Sequence, residues 1–583
     1  MDRQPSFLGF ADRLERWQHL IPCALLLVLT FALYYSSLSF DFVWDDEVYI
    51  HQNYRIQGLS LLHWSAIWSN TYLGHFAPIQ HSVLAVLYHF FALKPFGYHL
   101  AQLSIHVLCV VLLYLLLKKL VQPRVAFIAT LLFAVYPANI ETVAWISETK
   151  STLALLFFLL SFLAFLRFRE REHWVWGILC GALLLLSWLS KVSTIVAPAI
   201  FFLYDYWQGN LRKRQLKSAA AFFLLAGAFT VVHMISFYGS GKVAETDYFV
   251  SPSVHILNIP SILSFYLKMS VYPHPLSAWQ MMLISEKLNW VLAIGWLALL
   301  VTAVLLLRAN RFLQFWALWF FLFLLPVLGF VPFGIWVADR YLYIPVVGAF
   351  VILSHGFFWL ADRLTRAPSR WVLNIVFCAL IAAFAWHTVR HLPVWKDDLS
   401  LWQNAITNCS TSAYCHVNLG LAYMRSGQTN LGVPELIRAV EIRPAPLYLT
   451  YLGDAYTMSV KDYRQAGIAY QMARDQGGPD IDAKFYFKLA RYHLLAGNSD
   501  AARKAISDGK KISLNEPGLH VVESILEWKS GNLDAARRSL TTVLTMTQRR
   551  ADLPGFLRQF WPLPIDNDKL LSDLRSSQSE PRP

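Results

Sequence analysis

The chain has 583 residues, of which 56% are hydrophobic, 15% aromatic and only 15% charged. That balance excludes an ordinary soluble domain and marks a polytopic membrane protein. The net charge of +13 does not point to nucleic acid, because Lys and Arg fall in short clusters between apolar runs, where positive-inside topology already accounts for them.

The first apolar run, Leu20 to Leu38, follows Arg13 and Arg16 and lacks a small-residue cleavage site before Phe40. It reads as a retained helix preceded by a cytoplasmic segment, residues 1–19. Further spans are expected over His99–Leu117, Val125–Val135, Thr152–Phe168, Trp174–Leu189, Ser193–Trp207, Ala219–Phe237, Trp290–Leu307, Phe312–Val331, Leu342–Leu360 and Trp371–Val389. That makes about eleven within a membrane domain of residues 20–395, several of them shorter than the usual ~20 residues. A twelfth stretch, Ile256–Tyr272, contains Pro260 and Lys268 and is open to three readings: a short span, a re-entrant hairpin or an interfacial helix.

Basic clusters at Lys118–Arg124, Arg167–Arg171, Arg212–Lys217, Arg308–Arg311 and Arg363–Arg370 occupy alternate connections. They share the cytoplasmic side only if Ile256–Tyr272 does not cross, which puts everything after Val389 outside. The acidic run Val43-Trp44-Asp45-Asp46-Glu47 then also lies outside, at the membrane edge, in a large outer loop of residues 39–98. In that loop Leu61, Leu62, Trp64, Ile67 and Trp68 recur at helical spacing, as expected of a helix lying in the headgroup plane.

Cys23, Cys109, Cys180 and Cys378 sit in apolar stretches and read as packing residues. Cys409 and Cys415 are the one pair close together in a soluble segment, where a bond would need suitable geometry. From about residue 396 small and aromatic residues recur at a spacing near 34, the period of tetratricopeptide repeats. Asn418-Leu419-Gly420-Leu421-Ala422-Tyr423, Tyr451-Leu452-Gly453-Asp454-Ala455-Tyr456 and Phe487-Lys488-Leu489-Ala490-Arg491-Tyr492 are equivalent first-helix segments. Near-copies starting at Ala496-Gly497-Asn498 and Ser530-Gly531-Asn532 support a fourth unit. The array is expected over 396–560, as a superhelix suited to extended peptides or as a plain spacer. The tail, 561–583, is expected to be partly disordered.

Three strings follow in order along the membrane half: Asp41-Phe42-Val43-Trp44-Asp45-Asp46, Pro95-Phe96-Gly97-Tyr98-His99-Leu100 and Tyr136-Pro137-Ala138-Asn139-Ile140-Glu141-Thr142-Val143-Ala144-Trp145-Ile146. On them the chain resembles the transmembrane and tetratricopeptide repeat-containing O-mannosyltransferases and their bacterial relatives, within the GT-C glycosyltransferase superfamily. The resemblance continues through Lys150, Ser190-Lys191, Asp339-Arg340-Tyr341-Leu342-Tyr343 and Trp395-Lys396-Asp397-Asp398-Leu399. Two features depart from the pattern: the repeat array is short, and Ala77 precedes Pro78 where animal relatives usually have arginine.

The resemblance implies an all-α fold, a polytopic GT-C-like membrane domain followed by a repeat superhelix. It also implies a polyprenyl-linked sugar donor and transfer on the outer face to a protein Ser or Thr presented by the repeats. The acceptor hydroxyl must lose a proton, which makes a membrane-edge carboxylate the natural base. By resemblance that base is Asp45, with Asp46 as helper; Glu47 points away. The departing lipid phosphate needs cations, for which Arg340, Lys191 and Lys150 are the candidates; Arg340 pairing only with Asp339 is the plain alternative. Glu141, Glu148 and His75 are candidates for the sugar or acceptor pocket.

No cofactor is firmly expected. A divalent cation on Asp45 and Asp46, with Glu141 or His75 as a further ligand, is an open alternative. His99 and His106, seven apart on one helix face, read as core residues. No Gly-x-Ser-x-Gly elbow, phosphate-binding glycine loop or zinc spacing occurs, which argues against a nucleotide-using site. Modification of envelope glycans or lipids, or a non-catalytic repeat scaffold, are the competing functions. Compact loops favour a bacterial inner membrane with periplasmic repeats over the endoplasmic reticulum.

Overall fold

The computed structural model describes residues 7–72, 76–239, 251–329, 335–364, 366–478, 481–547, 557, 560, 561 and 568–573. Helices dominate it, with no β-strand among the described residues. The chain divides into two units, Met1–Asn408 and Cys409–Pro583.

In the first unit each expected apolar stretch contains a helix, with the end of Phe312–Val331 lying outside the described residues. Seven helices among the described residues are long and apolar enough to cross a membrane: Leu20–Ser39, Pro95–Leu120, Ile146–Arg171, Lys213–Ser236, Trp290–Arg308, Val346–Arg363 and Ala367–Trp395. Five shorter apolar helices accompany them: Pro123–Val135, Trp174–Ser190, Val192–Trp207, Ile259–Val271 and Arg311–Val327. At about 1.5 Å per residue, the 13-residue helices Pro123–Val135 and Ile259–Val271 fall short of a hydrocarbon core of about 30 Å.

Helix starts follow local chemistry, with proline at the first turns of Pro78–Phe91, Pro95–Leu120 and Pro123–Val135, where its missing N–H costs nothing. Helix Trp290–Arg308 leaves Leu297, Leu300 and Leu305 about 60% exposed, which only a lipid solvent tolerates. The protein is an integral membrane protein. Cys109 and Cys180 are packed as expected, whereas Cys378 is exposed and Cys23 only half-buried. The exposed face of Ala367–His391, on which Cys378 lies, has apolar neighbours such as Ile375 and Val376 that are exposed too.

Buried polar bonds draw the helices of this unit together. The Gln102 amide donates to the Thr142 carbonyl and accepts from Thr152 Oγ1, fixing the short helix Asn139–Ala144 beside Thr149–Arg171. His106 is fully buried against Tyr34, Phe133 and Tyr343, with Nδ1 2.7 Å from the Tyr343 hydroxyl, and His99 is buried against Phe40. Helix Leu61–Ser69 forms as expected, with Ile67 buried inward and Leu61, Leu62 and Trp68 exposed.

The second unit is a run of helix pairs: Ala413–Arg425 with Thr429–Ile442, Pro446–Ala455 with Tyr463–Gly477, Ala483–Leu495 with Ser499–Ile512, and Pro517–Lys529 with Leu533–Thr547. Cys409 and Cys415 are disulfide-bonded at its start. Asp454 ties the second pair to the third, accepting from Tyr470, Lys488 and Arg491, each at 2.7 Å.

The turns inside three pairs use Gly427, Gly497 and Gly531 at φ 77–80°, but the second pair places Lys461 there at φ 61°. A side chain in this left-handed region costs roughly 1–2 kcal/mol. Lys461→Gly is therefore expected to stabilise the unit by up to about 1 kcal/mol, and Gly497→Ala to destabilise it by about 1 kcal/mol, read from chemical-denaturation midpoints.

Candidate functional site

The acidic run leaves the first long helix on a tight turn. Trp44 adopts φ 54°, a left-handed backbone that is uncommon for a bulky residue and therefore needs support. Its indole stacks on Trp145 at 4.3 Å and 5°, and meets Trp402 edge-on at 5.4 Å. Its amide donates to Asp398 Oδ1 at 2.7 Å, and the Asp41 amide donates to the Lys396 carbonyl at 2.9 Å.

The two aspartates after Trp44 have different surroundings. Asp46 is fully buried; its Oδ1 accepts from the Ser147 amide at 2.7 Å and the Ser147 hydroxyl at 2.5 Å, and its Oδ2 from the Val43 amide at 3.1 Å. Burial raises its pKa to about 7 against the opposing pull of those three bonds. Asp45 is partly exposed, and no donor among the described residues bonds its carboxylate. Burial raises its pKa too, while the charges of Lys150 and Arg340 oppose that rise. Glu47 pairs with His51 at 2.7 Å.

Next to Asp45, three cations share a single carboxylate. Glu148, 1% exposed, meets Lys191 at 2.9 Å, Lys150 at 3.4 Å and Arg340 Nε at 3.5 Å, and also accepts from the Ser151 hydroxyl. Arg340 is buried and held by Glu141, which accepts from its backbone amide at 2.7 Å and from its guanidinium Nη1. Aromatic faces complete the lining, with Arg340 over Trp145 and Tyr341, Lys191 over Tyr341, and Lys150 over Tyr49. Burial brings the pKa of Lys191 down to about 8, although Glu148 pulls it upward.

Asp339 does not partner Arg340. Its carboxylate accepts from the Ser277 amide at 3.2 Å and the Gln280 amide at 2.8 Å, holding the loop after residue 275. Burial, with Glu141 adding to it, keeps the Asp339 carboxyl well above the usual range.

Asp45, Asp46, Glu141, Glu148, Lys150, Lys191 and Arg340 therefore converge from four separated stretches of chain. Their pairings decide what they can do. Glu141 and Glu148 hold cations, so sugar hydroxyls would compete with ion pairs for their oxygens. His75 lies outside the described residues.

The described residues, as they are paired here, do not fit a divalent cation. Asp46 has both oxygens engaged by N–H and O–H donors, Glu141 is occupied by Arg340, and the charges facing Asp45 are already Lys150 and Arg340. No group of three or more His, Cys, Asp or Glu suited to a metal occurs among the described residues. Ser147, Ser151, Tyr49, Trp145, Gln80 and Asp398 were not singled out in the sequence, although all touch the site or its supports; Gln80, for example, donates to the Ser147 carbonyl at 2.7 Å. Of these, Trp145 and Asp398 lay inside motifs that could have pointed to them.

The sequence profile of the dolichyl-phosphate-mannose-protein mannosyltransferase family matches residues 77–237, the segment that supplies Glu141, Glu148, Lys150 and Lys191. A protein O-mannosyl-transferase of Caenorhabditis elegans is 25% identical over 480 residues, covering 76% of this chain and 65% of its own. The chain is similar to the protein O-mannosyl-transferases along most of its length. TMTC4 of Homo sapiens is 25% identical over 67% of this chain and 62% of its own, and TMTC3 of Mus musculus is 23% identical over 81% and 56%. The chain spans less than two thirds of the length of these relatives.

Proposed function

We propose that the protein is a membrane glycosyltransferase that moves a sugar from a polyprenyl-phosphate-linked donor to a Ser or Thr hydroxyl of a protein on the outer face of the membrane. The observation that carries this reading is the pairing of a carboxylate without a donor, Asp45, with three cations gathered on Glu148. Asp45 takes the proton of the attacking hydroxyl as its oxygen bonds to the anomeric carbon. The sugar–phosphate bond breaks with its electron pair going to the phosphate oxygen, whose growing charge is met by Arg340, Lys150 and Lys191. A charge pair at about 4 Å is worth roughly 4 kcal/mol at an effective dielectric near 20, so a lipid phosphate competes with Glu148 for these cations on equal terms. Asp46 holds the base's turn through its bonds to Val43 and Ser147.

Topology supports the same reading. Basic connections on the cytoplasmic side leave the site and the second unit outside, in the periplasm if the membrane is a bacterial inner membrane. A disulfide between Cys409 and Cys415 suits that oxidising side. The helix pairs fit a tetratricopeptide array, which would present an extended acceptor segment, and helix Leu61–Ser69 would rest its exposed Leu61, Leu62 and Trp68 on the headgroups.

The names of the relatives make mannose the first sugar to try. Purified protein in lipid nanodiscs is expected to transfer radiolabelled mannose from polyprenyl phosphate mannose to membrane-protein acceptors, with label released by β-elimination. Label appearing only on envelope glycans or lipids would replace the protein acceptor; none across donors would remove the transferase reading.

A further inference from the structure

We propose that Asp398 is a positioning residue for Asp45: its carboxylate holds the Trp44 amide and so fixes the left-handed turn from which the base is presented. The inference rests on the transferase reading for its consequence, but its geometry stands independently. A left-handed backbone at a bulky residue persists only where its surroundings over-determine it. Here they do so from one helix face, because Asp398 and Trp402 are four residues apart on helix Asp398–Cys409 and both reach Trp44. Trp145 stacks on the other side of the problem, on the stretch that also carries Ser147 and Glu148. Asp46 is pinned to Ser147, so the peptide before Asp45 and the residue after it are both clamped. Asp45 thus keeps a carboxylate that no donor among the described residues bonds, on a backbone that has little freedom left.

Asp398 also acts through its charge. Asp45 is faced by Lys150 and Arg340, which favour its ionised form, and by Glu148 and Asp398, which oppose it. Hydrogen bond and charge can be separated. Asp398→Asn keeps an oxygen that accepts the Trp44 amide but removes the charge, whereas Asp398→Ala removes both.

The test uses the full chain in nanodiscs with two readouts. The first is mannose transfer against pH; the second is coupling of Asp45 to a carbodiimide and glycinamide against pH, followed by peptide mass spectrometry, which needs no activity. Asp398→Ala is expected to lower kcat at least tenfold with the donor KM unchanged. Asp398→Asn is expected to retain most of kcat, with the acid limb of transfer and the pH midpoint of Asp45 labelling both moved to lower pH. Wild-type kcat in the alanine variant, or an Asp45 labelling midpoint in the asparagine variant that coincides with wild type, overturns the inference. If the alanine variant does not fold, the asparagine midpoint decides alone. A wild-type chain that transfers nothing, yet whose Asp45 labelling shifts in Asp398→Asn, sinks the transferase reading and leaves the positioning role intact.

Discussion

Asp45→Asn is expected to reduce kcat by about 10²–10⁴-fold, the range of a general base, while the donor KM changes little. The substitution preserves shape and leaves the cations around Glu148 in place, so binding of the lipid phosphate survives. What it removes is the acid of the cluster whose oxygens no donor among the described residues occupies. The pH profile carries the same signature. Asp45 works ionised, and burial raises its pKa, so transfer should rise along an acid limb displaced above the ordinary aspartate value of about 3.9. Asparagine should abolish that limb. Asp46→Asn should behave differently, because an amide cannot accept all three bonds that now end on the carboxylate. It should cost folded protein first, and activity only in proportion. Equal transfer by wild type and Asp45→Asn would remove Asp45 from the chemistry, and a fall in Asp46→Asn beyond the loss of folded protein would give Asp46 a direct part.

Much of this arrangement could be read from the chain, and the part that could not has a physical reason. Apolar runs fixed the helices, since a membrane segment must close its backbone bonds within itself, and the interfacial helix announced itself by spacing. The charged residues were visible as candidates because ionisable groups near membrane spans are costly and seldom incidental. Their pairings were not visible. Arg340 could be placed beside Asp339 by adjacency, yet it is held by Glu141, 199 positions away in the chain. Glu141 and Glu148, read as pocket candidates, are each paired with cations, a partnership that the sequence did not show. Ser147 carries no sequence signal of its own, since a serine in a loop is commonplace, and Asp398 was visible only as one residue of the Trp395–Leu399 string. They matter only through Asp46 and Trp44, at separations of 101 and 354 residues. Lys461 hides its turn for a related reason: three of the helix pairs mark the position with glycine, and the second pair reaches the same backbone without it.

Arg340→Gln should be the most damaging single change among the cations, through two effects that can be told apart. Arg340 is the shared partner of Glu141 and Glu148, both almost fully buried. Removing it strands Glu141 with only a backbone amide for company, and breaking a buried pair in this way costs about 3–5 kcal/mol. Catalysis loses a preorganised charge facing the leaving phosphate, worth about 10²–10³ in kcat. Adding Glu141→Gln to the same chain removes the stranded charge, so the double variant should recover most of the lost stability in a thermal-unfolding assay while transfer stays low. Arg340→Lys should fall between, because a point charge cannot bridge two carboxylates as the planar guanidinium does. Recovery of transfer along with stability in the double variant would make Arg340 a structural strut. Stability recovered without transfer would show that its charge acts on the leaving phosphate, with Lys150 and Lys191 too few to replace it.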